Sequence, residues 1–223
     1  MTTQEDRDLA ARRQRRAGGT VDFVVMYAAH DAFSRDLSRL AGAVASRRSA
    51  DPAVRKGWAT FRNQLHVHHT AEDKWLWPPL RQRVTDRGEL AVLDAMDAEH
   101  ARIDPLLAQV DAALDAGDDA AVGSGAEALA AALTSHMEHE EEQALPLVAA
   151  HLGAAGWKAF GRRTGLSQGL RGAAEFFPWM LDGAPEDAAR HLLATFPPPL
   201  RLLCRAVWQP AYARTPRWAA RSA

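Results

Sequence analysis

Apolar residues along this chain recur at alternating intervals of three and four, the spacing that lines one face of an α-helix. The first such segment runs Phe23, Tyr27, His30, Phe33, Leu37, Leu40, Val44. The second runs Val54, Trp58, Phe61, Leu65, His68, Glu72, Trp75. A third follows as Leu93, Met96, His100, Ile103, Leu107, Val110, Leu114, and a fourth as Leu129, Leu133, His136, Glu140, Gln143, Leu147. Each begins after a recognisable break. Gly18-Gly19-Thr20 offers an N-cap for the first, and Asp51-Pro52 a cap and first-turn proline for the second. The turn TDRG precedes the third, and the loose linker AGDDAAVGSG the fourth. Pro105 inside the third stripe favours a kink, but the spacing survives across it and one helix is expected.

Short connections between long helices predict an all-α, up-down-up-down four-helix bundle. Beyond residue 152 the pattern changes. GWKAFGRRTGLSQG, FFPWML and FPPPLRLLC set closely spaced Gly and Pro between short apolar pieces, so an extension of several short helices packed on the outside is expected. Trp157, Trp179, Trp208 and Trp218 are expected to seat it. The organisation read from the chain is an N-terminal arm at 1–19, a bundle at 20–152 and a C-terminal extension at 153–223. The arm reads as a charged helix or a disordered segment, with Arg12–Arg16 solvated.

Every stripe carries a histidine near its middle, and on the second and fourth a carboxylate follows four residues later. Charged side chains are almost never fully buried unless something pairs with them. The chain also matches itself. His68-x-x-x-Glu72-Asp73 with Pro78 aligns with His136-x-x-x-Glu140-Glu141 and Pro146, and HDAFSRDL at 30–37 aligns with HARIDPLL at 100–107. The intervals from lone histidine to paired histidine are 38 and 36 residues. Two copies of a helix pair thus aim four imidazoles and two carboxylates at one point in the core. Two buried glutamates repel and each resists desolvation, and a pair of divalent or trivalent metal ions removes both problems. Nitrogen and oxygen donors without sulfur suit iron, manganese or zinc. No Glu-x-x-His pair and no His-Glu-x-x-His occurs, which counts against a ferritin-type site and a zinc protease.

Composition adds limits. Hydrophobic residues make up 47% and charged residues 25%, an ordinary globular balance, and two Tyr among abundant Ala, Leu and Arg favour helix over sheet. A net charge of −1 gives no whole-molecule case for nucleic acid or membrane, and no run approaches the length that spans a bilayer. The charge is uneven: residues 153–223 hold 10 Lys and Arg against 4 Asp and Glu, while residues 1–152 hold 17 against 24. The basic extension is expected to pack on its own acidic bundle, with a protein partner left unspecified. ARRQRRAGG followed by VDFVVMYAA reads as the approach to the first helix and not as an export signal, because Asp22 interrupts it. A lone Cys204 excludes an intramolecular disulfide and makes a reducing, cytoplasmic setting the expectation.

His30, the His68-x-x-x-Glu72 pair with its following acid and proline, His100, and His136-x-x-x-Glu140-Glu141 together resemble the hemerythrin-like (HHE cation-binding) family, over roughly residues 20–150. The resemblance implies a non-haem di-iron centre, oxo- or hydroxo-bridged, that binds or reacts with dioxygen, peroxide or nitric oxide. Carried over position by position, it implies His30, His68, Glu72, His100, His136 and Glu140 as metal ligands. One departure stands out. Oxygen-carrying members have a second histidine four residues after the third-helix one, and Asp104 stands there instead. Fewer imidazoles and more carboxylate favour ferric iron, which turns the expectation from oxygen carriage toward oxidant handling. A regulatory module acting through the basic extension is the alternative, and a metal-free interaction protein a third reading.

His66, His69, His139, His151 and His191 fall off the ligand pattern, with His139 the nearest spare. Asp73, Glu141 and Glu142 are expected to be solvated. Tyr27 and Asp97 are candidates for hydrogen bonds to the centre.

Overall fold

The fold was obtained as a computed structural model, which describes residues 19–218. The N-terminal arm up to residue 18, including Arg12–Arg16, lies outside the described residues. Helices α1 (Val24–Ala45), α2 (Pro52–Trp75), the short α3 (Trp77–Arg81) and α4 (Arg87–Ala116) lead to α5 (Asp119–His139). The last continues unbroken through a π-helical turn (Glu140–Ala144), a short piece (Leu145–Leu147) and a second π-helical turn (Val148–Leu152). α1 packs on α2 and α5, and α4 packs on α5 and α2, so the four long helices close a ring.

The helix ends follow local chemistry. Asp51 caps α2 by accepting from the Ala53 N–H at 2.8 Å, with Pro52 in the first turn. Asp86 and Asp118 cap α4 and α5 in the same way, each at 3.0 Å, and Gly117 ends α4 in the left-handed conformation at φ 69°. Thr20 does not cap α1. That helix starts at Val24, and the carboxylate of Asp22 accepts from the Val24 N–H at 3.0 Å. Pro105 leaves α4 continuous from Arg87 to Ala116.

Two hydrophobic clusters fill the bundle. One holds Phe33, Leu37, Phe61, Leu65, Ile103, Leu129 and Leu133. The other holds Met26, Leu76, Trp77, Leu80, Leu93, Met96, Ala144 and Val148. On each long helix the polar residues of the stripe fall between the two: His30 between Met26 and Phe33, Glu72 between Leu65 and Leu76, His100 between Met96 and Ile103. The bundle is thus two apolar plugs with a polar layer between them.

Residues 153–218 comprise α6 (Gly153–Leu181), α7 (Glu186–Ala194), α8 (Pro198–Leu203), a π-helical turn (Cys204–Trp208) and α9 (Gln209–Ala213). α6 is longer than the Gly and Pro spacing suggests, and it is broken once, at Gly169 (φ 60°, ψ −169°). The extension shares the first hydrophobic cluster through Trp179, Leu192, Phe196, Cys204, Trp208 and Trp218. Trp179 is fully buried; its indole N–H donates to Asp36 at 2.8 Å, and its ring lies 4.9 Å from that of Phe33. Trp218 donates its N–H to the Ala53 carbonyl at 2.8 Å and covers Gly57 so closely that a Cβ there would lie 2.4 Å from the indole. Among the described residues no helix is long and apolar enough to cross a membrane.

Candidate metal centre

The polar layer gathers His30 from α1, His68, His69 and Glu72 from α2, His100 from α4, and His136 with Glu140 from α5 and its π-helical turn. Glu72, Glu140 and His30 are fully buried, and His136 is 1% exposed. Their potential donor atoms fall into overlapping groups, each within 4.8 Å: His30, His68 and Glu140; His69, His100 and His136; and Glu72, His136 and Glu140. The cluster therefore has two histidine lobes, with Glu72 and Glu140 between them. His30 Nε2 lies 3.1 Å from Glu140, His68 Nε2 3.1 Å from Glu72, and His100 Nε2 3.6 Å from the other oxygen of Glu72.

Outside the cluster, carboxylates hold the far nitrogen of three imidazoles. Glu141 accepts from His30 Nδ1 at 2.8 Å and Asp73 from His100 Nδ1 at 2.9 Å. Glu99 accepts from both His136 Nδ1 and His139 Nδ1, each at 2.9 Å. A carboxylate can only accept, so these contacts place a proton on Nδ1 and turn Nε2 inward, where it is a lone pair whenever the ring is neutral. His30 Nε2, His68 Nε2, His69 Nε2 and all four carboxylate oxygens of Glu72 and Glu140 are buried without a hydrogen bond. Inward lone pairs and bare carboxylates in a dry interior are the donor set a cation requires.

The electrostatics of these side chains carry the same strain. Burial lowers His30, but Glu140 and Glu141 outweigh it and push it up to about 9. Burial and the neighbouring imidazoles hold His68 and His69 well below the usual histidine range. Burial, then the adjacent Glu140 and Asp73, push Glu72 well above the usual carboxylate range. Burial also raises Glu99, but the hydrogen bonds from His136 and His139 prevail and lower it.

The hemerythrin HHE cation binding domain matches residues 21–148, which contain every residue of this cluster. The chain belongs to this family. No curated protein and no solved structure matches the chain. The matched domain is a cation-binding one, and the buried histidine and glutamate groups that could hold a metal ion lie within it.

The structure brings His30, His68, Glu72, His100, His136 and Glu140 into this one cluster. It also adds residues that the stripes did not select. His69 is 7% exposed and its ring stacks on that of His100, with centroids 3.9 Å apart. A second seam of the same helix, Leu65, His69, Glu72, Leu76, contains it and was a readable signal. His139, the expected spare, instead meets Glu99, one turn outside the lobes. Glu141 is not solvated: it is 6% exposed and holds the imidazole of His30. Asp73 is exposed as expected, and it also holds the imidazole of His100. Glu99 had no sequence signal beyond lying next to His100.

The π-helical turn explains Glu141. The Leu145 N–H donates to the Glu140 carbonyl five residues back, which inserts one residue into the turn. Pro146 lacks the N–H that would otherwise bond to the Glu142 carbonyl. The buried face therefore moves forward by one, from Gln143 and Leu147 to Ala144 and Val148, and Glu141 turns inward beside Glu140. Asp104 is exposed on α4 and outside the cluster. Asp97 is turned outward, 2.5 Å from Arg81. Tyr27 is half-buried with its ring against Phe23.

Proposed function

We propose that this hemerythrin-family protein holds two iron ions in the polar layer and uses them to bind or react with dioxygen, peroxide or nitric oxide, in the handling of oxidative or nitrosative stress. The observation that supports it best is the pairing of lobes. His30, His68 and Glu140 surround one position, and His69, His100 and His136 surround another. Glu72 and Glu140 lie where a carboxylate can serve both. An iron pair bound here supplies redox equivalents and open positions for a small oxygen- or nitrogen-containing ligand.

The chain's own residues define the rest. Glu141, Asp73 and Glu99 fix the tautomer and ring orientation of His30, His100 and His136. The two hydrophobic clusters above and below the layer keep bulk water away, which strengthens every charge interaction in it. Asp104 stands exposed at the position of the second α4 histidine of the oxygen-carrying pattern, and His69 of α2 brings a fifth imidazole to the layer instead. Catalase-like or peroxidase-like turnover is the activity to look for. A cytoplasmic setting belongs to the same reading and is supported by the free, buried Cys204.

A second reading, a redox- or gas-sensing module acting through the basic extension, is favoured by one contact chain. The ring of Phe33 lies 5.3 Å from His68 and 4.9 Å from Trp179, and so links the cluster to α6. Peroxide added to the iron-loaded protein separates the two. Oxygen release or donor oxidation over many cycles supports an enzyme. Consumption that stops near one equivalent supports a sensor. Elemental analysis giving no iron in protein grown with ample iron would refute both.

A further inference from the structure

A cavity of about 660 Å³ lies between α1, α2 and the extension, and His68 forms part of its wall. Five aromatic side chains of the extension line it: Trp157, Phe160, Phe176, Phe177 and Phe196. Cavities of this size and lining are the usual form of small-molecule sites. Two further features have no role in packing the bundle.

The first is the run of glycines in α6. Gly161, Gly165 and Gly169, one turn apart, all line the cavity, and a Cβ added at any of them would meet no atom within 4 Å. Gly169 supplies the left-handed turn that breaks α6, but Gly161 and Gly165 lie within the helix, where glycine is among the poorest formers, so the pair weakens α6 unless the space it leaves is used. The second is Gln64, one turn before His68 on α2. It lines the cavity and is only 3% exposed, yet its amide makes no hydrogen bond within the described residues. An amide that makes no hydrogen bond on a residue so little exposed is available to a hydrogen-bonding group inside the cavity.

We infer that this cavity is a binding site for a neutral aromatic molecule carrying a hydroxyl or carbonyl oxygen. The ring system lies among the aromatic side chains of α6 and against its glycine face. The oxygen meets the amide of Gln64, which can both donate and accept. The charged groups in the lining give no net preference for an ion: Lys158 and Arg162 stand against Asp22 and Glu175. Because His68 belongs to both walls, the bound molecule sits beside the cluster. Its bearing on the metal centre rests on the metal-binding reading; the cavity itself does not.

The test uses 2-naphthol and naphthalene, titrated into the purified full-length protein and followed by calorimetry and by the fluorescence of the tryptophans. The expected result is one saturable site per chain, with 2-naphthol bound about tenfold more tightly than naphthalene, the effect of one buried hydrogen bond. Gln64→Leu should erase that difference while retaining naphthalene binding. Gly165→Leu should weaken both compounds tenfold or more with no loss of thermal stability, since it fills open space on a helix; Gly161→Leu serves if the first variant does not fold. No saturable binding of 2-naphthol, equal affinity for the two compounds in the parent protein, or undiminished binding to the filled variants would overturn the inference. Binding as described in a protein found to contain no metal would refute the metal reading and leave this one standing.

Discussion

The Nε2 atoms of His100 and His136 lie 3.2 Å apart, while the Nδ1 of each is held at 2.9 Å by a carboxylate, Asp73 on one side and Glu99 on the other. Protons placed on Nδ1 leave two lone pairs facing each other in a buried layer. Such an arrangement repels itself unless a proton or a cation lies between the rings. A cation can satisfy both nitrogens at once and reach His69, Glu72 and Glu140 as well. In the proposed metal site this contact forms part of one lobe.

His69 is the first point of test. If it belongs to the second lobe, His69→Ala should lower the metal content of the purified protein from about two ions per chain toward one. His139→Ala and Asp104→Ala should leave it unchanged, because neither side chain reaches the lobes. Elemental analysis of the three variants side by side decides the matter.

Glu99 and Glu141 act on the centre through the imidazoles they hold. Replacing either with glutamine keeps the shape but weakens the hold on Nδ1–H, and can reverse it. Metal affinity should fall about 10- to 100-fold, the usual effect of such outer partners. Competition with a chelator of known strength measures it. Glu142→Gln, on an exposed position of the same turn, should change little.

Removing the metal should make stability depend on pH in a defined way. His68 and His69 are lowered in the folded state, so their contribution is present above about 6.5 and is lost as pH falls through that value. His30 is raised to about 9, so its contribution is full below 6.5 and is lost as pH rises toward 9. Glu72, also raised, contributes fully below about 4.5 and is progressively lost above it, which adds to the fall toward alkaline pH. The Tm of metal-stripped protein should therefore peak near pH 6.5, and metal should raise it most on the alkaline side. A metal-stripped Tm still climbing from pH 7 to 9 would contradict this.

Trp179 tests whether the extension belongs to the core. It is fully buried, packs on Phe33 and donates to Asp36, itself buried and bonded to Arg35 and Arg39. Trp179→Ala should cost about 3–5 kcal/mol, from lost burial, the cavity left behind and a carboxylate deprived of a donor. Urea unfolding would give the figure, and a change below about 1 kcal/mol would show that the extension is only loosely attached.

The four bundle helices and six of the cluster residues were legible because a polar residue on a regular apolar stripe stands out against it. His69 lay on a second, readable seam that the single-line stripe passed over, since neighbours on a helix are separated by 100° and α2 turns a broader arc inward. Glu141 was hidden for a different reason: 3.6-residue periodicity cannot register the extra residue of a π-helical turn. Glu99 and Asp73 sit at the margin of the core, where a carboxylate on a half-exposed position looks like any solvated one. The length of α6 was obscured by its glycines, which read as breaks, whereas Gly161 and Gly165 remain helical beside the cavity.

The central claim is that Glu72 and Glu140 occupy this interior because cations lie between them. Its most direct test is the iron content of the Glu72→Leu, Glu140→Leu double variant, produced with ample iron beside the parent protein. The account predicts about two irons per chain in the parent and almost none in the folded variant. Two irons per chain retained in the variant would contradict it.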